Sequence, residues 1–303
     1  ESMTDTLPQM FLHLTKSYPK PDIMLSKKEG RYVSISTEEF RNRVIRLALG
    51  LHELGVSHGD KVILLADNGP EWTITDYAVL SLGGITVPVY TSLVPEQVKY
   101  IINDSDAKVV IVSGPALWEK VAAVKKDLPL VRNFITFETQ TQDGLLPLSQ
   151  ILERGEKIQA QRPGLFEEIV LTVKPDDLAS IIYTSGTTGI PKGVMLTHAN
   201  FVSNIKTLAS IIDFGDKDTD LSFLPLSHVL ERLVIFAFLY KGCSIAYAES
   251  VETVADNLIE VRPTIMVSVP RLFEKIYAKV MDTILAGSGL KKKIFFWAVK
   301  TGK

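Results

Sequence analysis

A chain of 303 residues, 46% hydrophobic and 22% charged, holds enough apolar mass for one large core or two modest ones, which excludes a disordered polypeptide. A formal net charge of −2 excludes a general electrostatic pull toward nucleic acid or an acidic membrane, so any anion site must be local. Cys243 is the single cysteine, so no disulfide can close within the chain and a reducing cytosol is the expected compartment.

The polar start of the sequence predicts no signal peptide, and the longest apolar run, 233–240, is far shorter than the roughly 20 residues that span a bilayer. Ser36 and Glu39 have capping-box spacing. Phe40, Val44, Leu47, Leu51 and Leu54 then recur at three- and four-residue steps before Gly55, which predicts an amphipathic helix. Short β-branched runs at 62–66, 85–90, 109–112 and 134–137 read as buried strands, separated by helical stretches at 71–82, 95–103 and 116–126. Residues 138–174 turn polar and predict a surface connection with one short helix at 148–152. Strands are expected again at 178–183, 220–224, 244–248 and 265–269, with helices between them.

This alternation predicts an α/β fold of two successive, mainly parallel sheets flanked by helices. Residues 59–212 are expected to form the first subdomain, and 213–303 together with 1–58 to contribute to the second.

The segment around Thr184 is the most informative. A strand at 178–183 runs into a turn in which Gly186 and Gly189 free the backbone, so that several N–H groups can converge on one anion. Thr184, Ser185, Thr187 and Thr188 add hydroxyls able to donate to phosphate oxygens, and Thr184 is the candidate hydroxyl for a magnesium ion. Lys192 adds a mobile positive charge, with Pro191 restricting the chain just before it. No Gly-x4-Gly-Lys-Ser/Thr occurs, which removes support for a kinase or GTPase. A flexible Ser/Gly/Thr linker is the alternative, but a linker needs neither the strand before it nor the Lys-Gly after it.

Tyr183 to Gly193 resembles the signature of the AMP-forming adenylating enzymes: acyl-CoA synthetases, luciferases and peptide-synthetase adenylation domains. Within that superfamily, Gly193-Val-Met-Leu-Thr-His-Ala-Asn200, Phe223-Leu-Pro-Leu-Ser-His-Val-Leu-Glu-Arg232 and Val269-Pro-Arg-Leu-Phe-Glu-Lys-Ile276 resemble the long-chain fatty acid CoA ligases. The similarity runs along nearly the whole chain. It implies ATP-dependent activation of a long-chain fatty acid to acyl-AMP and transfer to CoA, with Mg2+ as cofactor. Thr184, Ser185, Gly186, Thr187, Thr188, Gly189 and Lys192 would then hold the ATP phosphates. Fatty acid, ATP and CoA are the implied partners, without nucleic acid. A homodimer and a peripheral membrane contact are compatible with the resemblance.

The family's later motifs, which serve adenine, ribose and the catalytic lysine, do not occur here. The resemblance is therefore to the amino-terminal part of such an enzyme, and little acyl-AMP is expected from this part alone. An aryl- or amino-acid-activating ligase and a non-catalytic nucleotide- or acyl-binding module remain as alternatives.

By the same resemblance, His228 lies where family members position or gate the acyl group; a structural histidine at a helix start is the other reading. His198 follows Thr197, a candidate helix cap, and reads as structural. Glu231 and Arg232 read as a local ion pair, worth about 0–1 kcal/mol if exposed. The five histidines are scattered and predict no metal site of their own. Leu272, Phe273, Ile276 and Val280 share a helix face that ordinarily marks core packing, and the resemblance places such a segment in an acyl tunnel wall. Lys291, Lys292 and Lys293 before Ile294-Phe295-Phe296-Trp297 fit either a membrane-surface helix or a core helix.

Overall fold

The structure is a computed structural model that describes residues 4–139, 144–185 and 189–302. It comprises two compact units, residues 1–265 and 266–303.

The first unit opens with helix α1 (Leu7–Ser17), the β1–β2 hairpin (Met24–Lys28, Arg31–Ile35) and helix α2 (Thr37–Glu53). Ser36 caps α2 by accepting from the Glu39 backbone N–H at 3.1 Å, as the spacing of those two residues predicts. Alternation follows: β3 (Lys61–Leu65), α3 (Pro70–Ser81), β4 (Ile85–Pro88), α4 (Pro95–Asp104), β5 (Val109–Val112), α5 (Pro115–Ala122), β6 (Asn133–Thr136) and β7 (Leu146–Pro147). After helices α6 (Leu148–Gln161) and α7 (Leu165–Val170) come β8 (Leu178–Ser185), β9 (Pro191–Thr197), α8 (His198–Ile211), β10 (Thr219–Ser222), α9 (Val229–Tyr240), β11 (Ser244–Tyr247) and α10 (Val254–Val261).

Two sheets result. The larger has the order β7-β6-β5-β3-β4-β8-β9 and is parallel except for β9, which runs antiparallel to β8. The smaller has the order β10-β11-β1-β2 and is parallel except for the β1–β2 pair. One face of the large sheet buries Ile63, Leu65, Val87, Val110 and Val112 together with Val98 and Ile102 of α4 and Trp118 and Val121 of α5. Against its other face lies α3, which also meets β1 of the small sheet and is buried at every position except Glu71. A helix covered all round has no amphipathic stripe, and its sequence, which includes Thr73, Thr75 and Asp76, shows none.

Three expectations fail. Residues 138–174 are not a polar connection with one short turn of helix: α6 runs for 14 residues and packs closely on α2. Glycine allows the approach, since a Cβ on Gly155 would fall 1.6 Å from the Arg46 carbonyl oxygen and one on Gly50 would fall 2.1 Å from that of Ile151. The predicted strand at 265–269 reduces to one isolated bridge, Asp220 to Ile265, because only the Thr264 and Ile265 N–H groups reach Thr219. Finally, Lys192 sits on a strand and not in the turn, and β1, β2 and β9 carried no strand expectation at all.

The second unit, over its described residues, is the helix pair α11 (Pro270–Leu285) and α12 (Gly289–Thr301).

Candidate functional site

The β8–β9 hairpin is buried at its base and bare at its tip. Ala179 to Tyr183 are buried, whereas Thr184 and Ser185 are exposed. In the antiparallel register Thr184 faces Lys192 and Ser185 faces Pro191. Directly opposed residues share a sheet face with Cβ atoms about 4.5–5.5 Å apart, so the Thr184 hydroxyl and the Lys192 stem rise side by side. Proline at the start of β9 costs no ladder bond, and Gly189, at φ +80°, takes a turn conformation that other residues resist. Gly186, Thr187 and Thr188 lie outside the described residues.

The hairpin is also anchored from the side. The Tyr183 hydroxyl donates to Asp104 Oδ2 at 2.6 Å, and the Tyr100 hydroxyl donates to the Pro191 carbonyl at 3.2 Å. A Cβ on Gly193 would lie 2.7 Å from Ile181 Cγ2 and 3.1 Å from the Tyr183 ring, so glycine lets the tyrosine ring cross the neighbouring strand. These contacts fix the backbone from which Lys192 projects.

A cleft of about 370 Å3 opens at the carboxyl ends of four strands, two from each sheet. Ala66, Asp67 and Asn68 follow β3; Tyr90, Thr91 and Ser92 follow β4; Phe223, Pro225 and Ser227 follow β10; Ala248, Glu249, Ser250 and Val251 follow β11. β4 and β8 run parallel with Thr86 opposite Ser180, so Tyr90–Ser92 and the hairpin tip leave the sheet at one edge. Successive connections from β3 and β4 run to opposite sides, and ligands of open α/β sheets bind outside the strand ends at such a reversal. Asn68 ties the two sheets together there. Its amide nitrogen donates to the Leu224 carbonyl at 2.6 Å, and its amide oxygen accepts from the Leu226 N–H at 3.0 Å.

Beneath this edge lies a buried polar floor. Arg232 makes two bonds of 2.7 Å to the Asp76 carboxylate and one of 2.5 Å to Ser180 Oγ, and its guanidinium lies over the rings of Phe201, Phe236 and Trp72. The expected local pair of Glu231 with Arg232 is therefore not formed. Consecutive on α9, the two side chains point different ways: Arg232 turns toward α3, while Glu231 turns to the small sheet and accepts from Ser222 Oγ at 2.6 Å. Burial raises Glu231 to about 7, partly opposed by the Ser222 bond. Burial and then the charge of Glu231 push Asp220 well above the carboxylate range, and neither Asp220 oxygen has a partner among the described residues.

The two histidines separate clearly. His198 is fully buried, with Nδ1 accepting from the Leu7 N–H at 3.3 Å; burial lowers it to about 4, so it stays neutral with its proton on Nε2. Thr197 and Asn200 form a reciprocal cap one residue before it. His198 is structural. His228 is exposed and caps α9, Nδ1 accepting from the Leu230 N–H at 3.2 Å. Its neighbour Ser227 lines the cleft, though the imidazole itself does not.

Sequence reasoning singled out the hairpin and His228 but passed over Asn68, Tyr90–Ser92, Glu249 and the Asp76–Arg232 pair. Only one signal pointed to them: polar residues clustered just past predicted strand ends. For ATP the exposed pairing of Thr184 with Lys192 fits an anionic chain of phosphates. For Mg2+, the described residues hold no cluster of three or more metal-ligating side chains. Phosphate oxygens and water would carry most of such an ion's coordination, and among the described residues the Thr184 hydroxyl is the candidate ligand.

A lysine- and hydroxyl-bearing hairpin beside a cleft at the carboxyl edge of a parallel sheet defines a ligand-binding α/β domain. The profile of the AMP-binding enzymes matches residues 15–295, and the chain belongs to that family. It is 32% identical over 287 residues to the long-chain-fatty-acid–CoA ligase FadD15 of Mycobacterium bovis, covering 93% of this chain and 46% of that one. It is also 32% identical over 260 residues to the peroxisomal long chain acyl-CoA synthetase 6 of Arabidopsis thaliana, covering 82% of this chain and 36% of the relative. A solved fatty acyl CoA synthetase of Mycobacterium tuberculosis superposes with a TM-score of 0.75 at 25% identity, over 90% of this chain and 51% of that one. The chain thus spans less than half the length of these curated relatives.

Proposed function

We propose that this chain forms the phosphate-binding and acyl-receiving part of an ATP-dependent long-chain fatty acid CoA ligase. In the first step an oxygen of the fatty carboxylate bonds to the α-phosphorus of ATP, and the bond to the bridging oxygen breaks, releasing pyrophosphate and leaving acyl-AMP. In the second, the CoA sulfur bonds to the acyl carbon and AMP leaves.

The observation that carries this reading is the register that sets Thr184 against Lys192 on the exposed end of a hairpin otherwise buried and anchored. Thr184, Ser185 and Gly189 of the hairpin tip, with Gly186, Thr187 and Thr188, would cradle the β- and γ-phosphates, and Lys192 would neutralise the charge that builds on the departing pyrophosphate. Such a step needs positioning and electrostatic stabilisation more than covalent help. Magnesium would add charge neutralisation between the phosphates. The adjoining cleft, within the usual size range of small-ligand sites, would receive the carboxylate end of the acyl group, with His228 as its gate.

Carboxylate-dependent ATP–pyrophosphate exchange in the whole enzyme tests the reading. Exchange driven by long-chain fatty acids and not by aryl or amino acids is expected. Exchange driven best by an aryl or amino acid would replace the substrate class, and exchange with none would leave a binding module.

A further inference from the structure

Strand β8, which carries the phosphate hairpin, is held to the parallel sheet at one point. Its register on β4 is the single pair Thr86 with Ser180. Its register on β9 shifts between Leu178 and Ser180 and then runs unbroken to Ser185. A continuous ladder carries a displacement at Ser180 to Thr184, about 13 Å farther along the strand.

The fully buried Ser180 hydroxyl joins three elements at that point. It donates to the Thr86 carbonyl of β4 at 2.7 Å and accepts from Arg232 of α9 at 2.5 Å. Both neighbours lead to the cleft. β4 runs on into Tyr90–Ser92, and α9 starts at the His228 cap beside Ser227, one turn before Arg232. Ser180 is thus the place where the strand bearing the hairpin meets the two elements bearing the cleft.

Stability alone does not call for this arrangement. Asp76 already meets the Arg232 charge with two bonds of 2.7 Å, and a buried ion pair is often no more stabilising than apolar groups of the same volume. The third bond adds direction. Once Asp76 has oriented the planar guanidinium, its fixed fork of donors admits one placement of Ser180.

We propose that Ser180 is a positioning residue for the transfer to phosphorus, setting the phosphate hairpin at a fixed distance from the cleft through Arg232. The inference rests on the reaction proposed above, in which a carboxylate held in the cleft must reach the α-phosphorus of an ATP held by the hairpin. Ser180 touches neither substrate. It governs the gap between two bound groups, and a misplacement of about 1 Å costs such a step on the order of 100-fold.

The test is ATP–pyrophosphate exchange by the whole enzyme carrying Ser180→Ala, which removes the strut and leaves the Asp76–Arg232 pair. With sites counted by ATP titration, kcat per site should fall about 10- to 100-fold while KM for ATP and for the fatty acid stay within about threefold of the parent. Ser180→Thr keeps the hydroxyl and should recover most of the loss. Should the alanine enzyme fail to fold, Ser180→Cys fills the space with a weak hydrogen-bonding group and carries the same expectation. A residue that only stabilises would lower the unfolding midpoint and the number of sites and leave kcat per site unchanged. That result overturns the inference, as does a raised KM for ATP at unchanged kcat, or a threonine enzyme no better than the alanine one. A parent that exchanges best with an aryl or amino acid changes the substrate class, and the same comparison on that acid decides the role of Ser180. A parent that exchanges with no carboxylate overturns the proposed reaction and this inference together, whereas a normal parent beside an unaffected Ser180→Ala enzyme overturns this inference alone.

Discussion

Strand β8 has two ends with similar side chains and opposite fates. At its buried end, Ser180 Oγ donates to the Thr86 carbonyl at 2.7 Å and accepts from Arg232. At its far end, Thr184 and Ser185 carry the same kind of hydroxyl into solvent opposite Lys192. Hydroxyl chemistry does not distinguish the two ends; access to water does. Enclosed, a hydroxyl becomes a fixed partner for a buried charge, and at the edge it is available to a ligand.

The comparison breaks first, and hardest, at Arg232. Its replacement by alanine strands the Asp76 carboxylate without water, and should cost about 3–5 kcal/mol, measured by denaturant unfolding. A loss below about 1 kcal/mol would mean that the pair is not holding the floor. At the other end, Lys192→Ala should leave the unfolding midpoint within about 0.5 kcal/mol of the parent, as exposed substitutions do. In the whole enzyme the same change should lower fatty-acid-dependent ATP–pyrophosphate exchange by about 100-fold or more. Exchange equal to the parent's would remove Lys192 from the phosphate site.

Away from β8, Gly155→Ala should cost about 1–3 kcal/mol, since α6 must back away from the Arg46 carbonyl. The smallest effect is a pH dependence. The folded pKa of Glu231, about 7, lies above its ordinary value of 4.5, so the folded state holds the proton more tightly. Its contribution is present below about 4.5 and is lost as pH rises through about 7. Unfolding midpoints between pH 5 and 8 should fall with rising pH in the parent and fall less in Glu231→Gln. Parallel slopes would assign the dependence to Asp220 instead.

Much of the fold was legible because its signals are local. The 36–55 helix with its Ser36 cap, the strands near 62, 85, 109 and 134, and the turn chemistry after Tyr183 each follow from neighbouring residues. Three features hid for identifiable reasons. Strand β9 was masked by Pro191 and Gly193, which usually interrupt strands but here begin one and yield space to Tyr183. Helix α6 looked polar because one narrow side, Leu148, Ile151 and Gly155, meets α2 while the rest faces water. Glu231 and Arg232 looked like partners because they are adjacent, although consecutive helical residues point in different directions.

From sequence alone, the element types, the helix caps and the phosphate-loop chemistry are determined, since period, capping and backbone freedom act over a few residues. Only the tertiary structure decides that Asn68 clamps a loop 156 residues away and that Asp76 neutralises Arg232 across the same separation. Nothing local encodes those pairs. Their strength comes from the loss of water around them, and that loss occurs only when the two sheets close on α3.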